Sequence, residues 1–131
     1  MATTVKELIA AANDAVGRIS PEELKTMLER PDVVVVDVRD APEVEASGKV
    51  KGALHISRGM LEFRADPQSP FHDARLTPDK TVVVYCASGG RSALAGKALI
   101  DLGYSKVRNL GGFKDWVEAG GAVEPGTGTG S

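Results

Sequence analysis

The chain has 131 residues, of which 42% are hydrophobic and 26% are charged, and its formal net charge is -2. This composition is typical of one globular domain with its own hydrophobic core, and the charge gives no basic footprint for nucleic acid. No stretch approaches the ~18 apolar residues of a membrane helix, and the N-terminus lacks the basic start and long apolar core of a secretory signal. We therefore expect a cytoplasmic protein without nucleic-acid or membrane partners.

Two helices are predicted at the start of the chain. In the first, apolar residues recur at helical spacing between Val5 and Val16. The second begins in "SPEELKTMLE", where Ser20 can cap, Pro21 suits the first helical position and Glu23 completes a capping box.

Two unbroken runs of β-branched residues predict strands that are buried on both faces, as in a parallel sheet. They are "VVVV" at 33–36 and "TVVVYC" at 81–86, and shorter strands are predicted at 53–56 and 106–110. Further helices are predicted between and after these strands, at 41–46, 59–64, 91–102 and 112–119.

The alternation of strands and helices implies a three-layer α/β/α domain around a central, mainly parallel sheet of about five strands. We divide the chain into three segments: an N-terminal helical extension at 1–17, one domain at 18–123 and a flexible C-terminal tail at 124–131.

The only cysteine, Cys86, ends the second valine-rich strand and precedes the glycine-rich stretch "ASGGRS". In open parallel sheets ligands bind outside the carboxyl ends of the strands, and a glycine-rich turn before a helix can direct successive amides at an anion. A thiol in such a turn has a lowered pKa and can act as a nucleophile. Outside this context, a lone cysteine is more often a small buried hydrophobic residue.

Four segments resemble the rhodanese (sulfurtransferase) family in that family's order. "CASGGRS" resembles the active-site loop Cys-x-x-Gly-x-Arg-Ser, and the others are "VVVVDVRDAPEV", "GKVKGALHI" and "NLGGFKDW". The similarity covers about residues 18 to 123 and implies the rhodanese-like fold. We expect no cofactor, and no metal, because no cluster of ligating side chains has suitable spacing.

The resemblance implies that Cys86 attacks the outer sulfur of a small anionic donor, thiosulfate or a low-molecular-weight persulfide, and becomes a persulfide. The sulfur would then pass to a nucleophilic acceptor, cyanide or a thiol, with a thioredoxin- or glutathione-type thiol as a further candidate partner. Loop amides would stabilise the charge on sulfur, and Arg91 would add positive charge. The loop residues implied in substrate binding are Ala87, Ser88, Gly89, Gly90, Arg91 and Ser92.

Two alternatives remain open at this point. A non-enzymatic persulfide carrier or sensor would use the same loop. A cysteine phosphatase or arsenate reductase is the other alternative. The related cell-cycle dual-specificity phosphatases have five residues between the cysteine and the arginine, a loop wide enough for a phosphoryl group. Cys86 and Arg91 enclose four residues, and this shorter loop favours sulfur as the atom that is transferred.

Three other polar residues are expected near the site. Asp37 and Arg39 follow the first valine strand and are predicted to support the loop in a structural role. Arg58 is a candidate for the pocket mouth, where it would attract anionic donors. His55 is interpreted as a packed or hydrogen-bonding histidine and not as a catalytic base.

Overall fold

A central sheet of five parallel strands organises the protein, whose computed structural model describes residues 2–126. In chain order the strands of the molecule are β1 (Gly17–Arg18), β2 (Val33–Asp37), β3 (Lys49–Val50), β4 (Leu54–His55), β5 (Thr81–Cys86), β6 (Lys106–Gly112) and β7 (Val123–Glu124). The central sheet has the order β1-β6-β5-β2-β4, and β3 pairs with β7 in a separate antiparallel ladder.

Within residues 2–126, six α-helices and one 3-10 turn precede or connect these strands. They are α1 (Val5–Ala15), α2 (Pro21–Met27), α3 (Ala41–Ser47), the 3-10 turn Arg58–Met60, α4 (Leu61–Ala65), α5 (Gly90–Asp101) and α6 (Phe113–Glu118). The predicted capping box at Ser20 and Glu23 is present, because each residue accepts the other's backbone N–H. The other predicted helices are present with ends shifted by a residue or two, and the segment predicted at 59–64 begins as a 3-10 turn and continues as α4.

The side chains of β5 alternate between two hydrophobic clusters. Val82, Val84 and Cys86 belong to the cluster that also contains residues of α4 and α5. Val83 and Tyr85 belong to the cluster that contains residues of α2 and α6. Both faces of the strand are thus buried, which explains its continuous apolar run and confirms the predicted three-layer fold.

Helix α1 packs against α5. A Cβ added to Gly96 of α5 would lie 2.9 Å from the Val16 methyl groups, and one added to Gly90 would lie 3.3 Å from Ile9. Gly90 thus lies near Ile9, and Gly96, further along α5, lies near Val16, further along the chain from α1. The two helices therefore run in the same direction. The first turn of α1 therefore extends past Gly90, towards the edge of the sheet where β5 ends.

Among the two-residue strands that the structure describes, β4 lies within the strand predicted at 53–56 and confirms it. The strands β1, β3 and β7 were not predicted, since two residues carry no recognisable alternation. Glu124, the first residue of the expected tail, pairs with Lys49 in the β3–β7 ladder, and residues 127–131 of that tail lie outside the described residues. Within residues 2–126 no helix has the length and hydropathy that crossing a membrane requires.

Candidate active site

The loop after β5 turns sharply at a glycine. Gly89 has a φ of 105°, a conformation that residues with a Cβ rarely adopt, and α5 begins at the next residue. In this turn the Gly89 N–H donates to Cys86 Sγ over 3.0 Å. The thiol is thus held against the backbone at the start of the helix.

The Cys86 side chain is enclosed, with 1% of its surface exposed. Burial by itself raises the pKa of the thiol, because it penalises the charged form. Hydrogen bonding outweighs this effect and leaves the pKa below its ordinary value. The donors are the Ser92 hydroxyl and the amides of Ser92, Gly89 and Ser88.

Ser92 joins the thiol to β6. Its Oγ lies 3.4 Å from Cys86 Sγ and 2.8 Å from Asn109 Oδ1, which also accepts the Gly111 N–H. The one hydroxyl proton therefore has a choice of acceptors, and it can turn to the sulfur when the thiol ionises. Asn109 was not predicted as a site residue, because one asparagine in a strand carries no pattern.

Glycine at position 112 allows β6 to approach the loop closely. A Cβ added to Gly112 would lie 2.6 Å from the carbonyl oxygen of Ala87. This contact is shorter than atoms tolerate, so a side chain here would displace the loop. The segment "NLGGFKDW" therefore contributes to the site in two ways. Gly112 has no Cβ that would displace the loop, and Asn109 accepts a hydrogen bond from the Ser92 hydroxyl.

The loop residues predicted to bind substrate have different exposures. Ala87 and Ser88 are exposed, Gly89 and Gly90 are partly buried, and Ser92 is buried. The exposed part of the loop is thus next to the cysteine, where a small molecule can arrive.

Arg91, predicted to bring positive charge, is bound by a carboxylate. Its two terminal nitrogens donate to Glu43 over 2.7 and 2.9 Å, and about a third of each side chain is exposed. The hydrogen bond from Arg91 lowers the pKa of Glu43 to about 2. Glu43 was not predicted because it lies on α3, far from the loop in sequence.

Asp37 and Arg39 form a buried pair at the end of β2. Arg39 donates to both carboxylate oxygens of Asp37, and Arg39 Nη2 also donates to the Gly48 carbonyl over 2.7 Å. The guanidinium lies 4.4 Å from the centre of the Phe113 ring. These contacts connect β2 to the end of α3 and to α6, on the sheet face opposite Cys86.

The remaining candidates have other partners. Arg58 pairs with Glu62 over 2.8 Å, and its place at the pocket mouth stays a prediction. His55 Nε2 lies 2.7 Å from the Arg39 carbonyl, which agrees with a hydrogen-bonding role. Among residues 2–126, no group of three or more histidine, cysteine or acidic side chains is placed to hold a metal.

The geometry suits a nucleophilic cysteine beside amides that can bind an anion. A buried thiol with a lowered pKa lies at the carboxyl edge of a parallel sheet, next to amides at the start of α5. Such a group can form a covalent bond with an electrophilic atom while the amides stabilise negative charge.

Comparison with known proteins agrees with this geometry. Residues 20–119 match the family model of the rhodanese-like domain. A sulfurtransferase from Allochromatium vinosum is 34% identical over 107 residues, which cover 80% of this chain and 92% of that protein.

Two solved structures are similar over most of the chain. The polysulfide-sulfur transferase homodimer from Wolinella succinogenes is 36% identical with a TM-score of 0.74, and the match covers 93% of this chain and 88% of that one. A protein of unknown function from Rhodopseudomonas palustris, named a possible tyrosine phosphatase, is 39% identical with a TM-score of 0.84, over 95% and 96% of the two chains. From its sequence match, its fold and its cysteine loop, this chain belongs to the rhodanese-like family.

Proposed function

We propose that the protein is a sulfurtransferase that carries a sulfane sulfur on Cys86. One observation carries this proposal: the Cys86 thiol has a lowered pKa and lies 3.0 Å from the Gly89 amide, in a loop of four residues before Arg91. The named sulfurtransferases among its relatives support the same chemistry.

The first step would form a persulfide. The Cys86 thiolate attacks the outer sulfur of thiosulfate, a new S–S bond forms, and the donor's S–S bond breaks. Sulfite leaves with the electron pair of that bond, and the negative charge moves to the terminal sulfur of the persulfide. The loop amides that lower the pKa of the thiol would stabilise this charge as well.

The second step would regenerate the thiolate. Cyanide or a thiolate attacks the terminal sulfur, the S–S bond to Cys86 breaks, and its electron pair returns to Cys86. The products are thiocyanate or a new persulfide. No external base is needed, because both nucleophiles react as anions.

The proposed partners follow from these steps. The donor is a small anion, thiosulfate or a low-molecular-weight persulfide, and the acceptor is cyanide or a thiol, including a thioredoxin- or glutathione-type thiol. The proposal uses no cofactor, metal, nucleic acid or membrane, and it places the reaction in the cytoplasm.

Intact mass after incubation with thiosulfate and desalting tests the proposal. We expect the protein to gain one sulfur atom, the Cys86→Ala variant to gain none, and added cyanide to remove the adduct as thiocyanate. Absence of an adduct with thiosulfate and with a small persulfide would overturn the proposed mechanism.

Turnover separates the enzyme from its alternatives. Thiosulfate:cyanide turnover far above that of Cys86→Ala indicates an enzyme, whereas stable loading with negligible turnover indicates a persulfide carrier. Hydrolysis of an aryl phosphate that is lost in Cys86→Ser would indicate the phosphatase suggested by the Rhodopseudomonas palustris protein's name.

A further inference from the structure

The three arginines considered for the site all have carboxylate partners. The pairs are Arg39–Asp37, Arg58–Glu62 and Arg91–Glu43, with N···O distances of 2.7, 2.8 and 2.7 Å. An anionic donor would have to compete with these carboxylates. A cation without a carboxylate partner would bind such a donor more readily.

A fourth arginine reaches the same edge of the sheet. Arg18 ends β1 opposite Asn109 of β6, and its side chain extends along the strand direction to Gly111. Arg18 Nη2 lies 3.3 Å from the position that a Cβ of Gly111 would occupy. Gly111 in turn pairs with Tyr85, the residue before the nucleophilic cysteine.

Gly111 also faces the cysteine loop. A Cβ added to Gly89 would lie 3.5 Å from the Gly111 Cα. The Gly89 amide is the donor to Cys86 Sγ. The Gly89–Gly111 contact thus connects the surroundings of the Arg18 guanidinium to the turn that holds the thiol, and neither glycine has a side chain that would block the way.

Arg18 is exposed, and the part of the chain that the structure describes places no carboxylate within ion-pair distance of its guanidinium. Glu23 borders a groove with Arg18, but its carboxylate accepts the Ser20 N–H and interacts electrostatically with Arg108. The positive charge of Arg18 is therefore available to a ligand.

We propose that Arg18 is a specificity-determining residue that binds the oxyanion end of the sulfur donor, a sulfonate or a carboxylate. A guanidinium presents parallel N–H donors that match both groups. The inference rests on the proposed function for the identity of the donor, but the positive potential beside Cys86 can be measured without any sulfur transfer.

The experiment compares alkylation of Cys86 by iodoacetate, an anion, and by iodoacetamide, a neutral analogue, at one pH. The ratio of the two rates cancels the fraction of thiolate and reports the local potential. Coulomb attraction between the partly hydrated Arg18 guanidinium and the carboxylate of iodoacetate predicts that Arg18→Ala lowers this ratio about threefold. Arg18→Lys should retain the ratio, and 1 M salt should remove the difference, because the Debye length is then about 3 Å.

Arg108→Ala is the matched control. Arg108 is also exposed and borders the same groove as Arg18. Its side chain, however, lies against Gly17 and its Nη1 donates to the Val107 carbonyl over 3.1 Å, whereas only the Arg18 guanidinium lies against Gly111. The ratio should not change in this variant. An unchanged ratio in Arg18→Ala, or an equal fall in Arg108→Ala, would overturn the assignment.

Persulfide loading then identifies the oxyanion. In Arg18→Ala, slower loading by subsaturating thiosulfate assigns a sulfonate site, and slower loading by the persulfide of mercaptoacetate assigns a carboxylate site. Unchanged loading by both donors contradicts a role in donor binding. If the wild-type protein accepts sulfur from neither donor, the proposed function fails, while the alkylation ratio still decides whether Arg18 sets the potential at Cys86.

Discussion

Tyr85 and Cys86 are neighbours on β5 that meet opposite electrostatic environments. Both side chains are almost fully buried, at 0% and 1% exposure. Burial, the charge of Asp37 and a hydrogen bond with Asp37 raise the pKa of the Tyr85 hydroxyl. The pKa of the Cys86 thiol is lowered in spite of its burial, because hydroxyl and amide donors surround it.

The difference shows that partners, and not depth, decide whether a buried acid ionises here. The Tyr85 side of the sheet contains a carboxylate and a guanidinium that neutralise each other. The Cys86 side contains uncharged donors directed at one sulfur atom. The first arrangement suits stability, and the second suits an anionic intermediate.

The largest effect is expected on the Tyr85 side, from Asp37→Asn. This change leaves the buried Arg39 without its counter-charge, and breaking a buried pair in this way costs about 3–5 kcal/mol of unfolding free energy. Urea unfolding measures the loss. Because Asp37 does not contact the thiol, the pKa of Cys86 in the folded variant should not change.

Asp32→Asn is the control for that prediction. Asp32 pairs with Arg30 two residues away, as Asp37 does with Arg39, but the Arg30 and Asp32 side chains are 53% and 51% exposed. Exposed pairs contribute about 0–1 kcal/mol, so this variant should lose little. Equal losses in the two variants would mean that burial of the pair has no consequence.

A smaller effect is expected on the Cys86 side, from Ser92→Ala. A hydrogen bond to a charged group is worth about 1.5–3 kcal/mol, so its loss should raise the thiol pKa by roughly one to two pH units. The pH dependence of iodoacetamide alkylation measures this pKa. The persulfide should also become less stable, because it loses the same hydroxyl donor.

Ser88→Ala is the matched control in the same loop. Ser88 acts on the thiol through its backbone amide, which the substitution retains, and its side chain is exposed. The thiol pKa should stay within the error of the measurement. A rise of equal size in both variants would contradict the role of the Ser92 hydroxyl.

The smallest effect is expected from Glu43→Gln, which breaks the partly exposed pair with Arg91. The pKa of Glu43 is lowered from 4.5 to about 2, so the folded state favours the carboxylate. The pair therefore stabilises the protein above pH 4.5, and this contribution disappears as the pH falls towards 2. At neutral pH the variant should lose less than about 1 kcal/mol.

Unfolding of wild type and Glu43→Gln over a pH series checks the sign. The difference in unfolding free energy between the two proteins should be constant from pH 7 to about 5. It should close at lower pH, because the ion pair with Arg91 requires the ionised carboxylate of Glu43. A difference that grows as the pH falls would contradict the assignment of the ion pair.

The sequence predicts well those features that depend on neighbours along the chain. The valine runs of β2 and β5 mark buried strands, and the stretch after Cys86 combines a turn with a helix start. The fold and the position of the cysteine loop follow from these local patterns. The division of the chain at residues 17 and 123 stays a prediction. The matched family region, residues 20–119, lies within the predicted domain at 18–123.

The other contributions to the site depend on contacts between distant segments. Glu43 reaches Arg91 across 48 residues, Asn109 reaches Ser92 across 17, and Arg18 reaches Gly111 from the edge strand. No spacing rule connects such residues. Arg91 was predicted as a cation for the substrate, and a single sequence could not reveal that a carboxylate on α3 would bind it.

The two edge strands of the central sheet, β1 and β4, are only two residues long each, while the strands between them have five to seven. An edge strand exposes unpaired N–H and C=O groups that can recruit a strand from another chain. Two residues offer too few of these groups for a stable added strand. The buried valine runs, which would aggregate readily if they were exposed, are therefore shielded by borders too short to start a fibril.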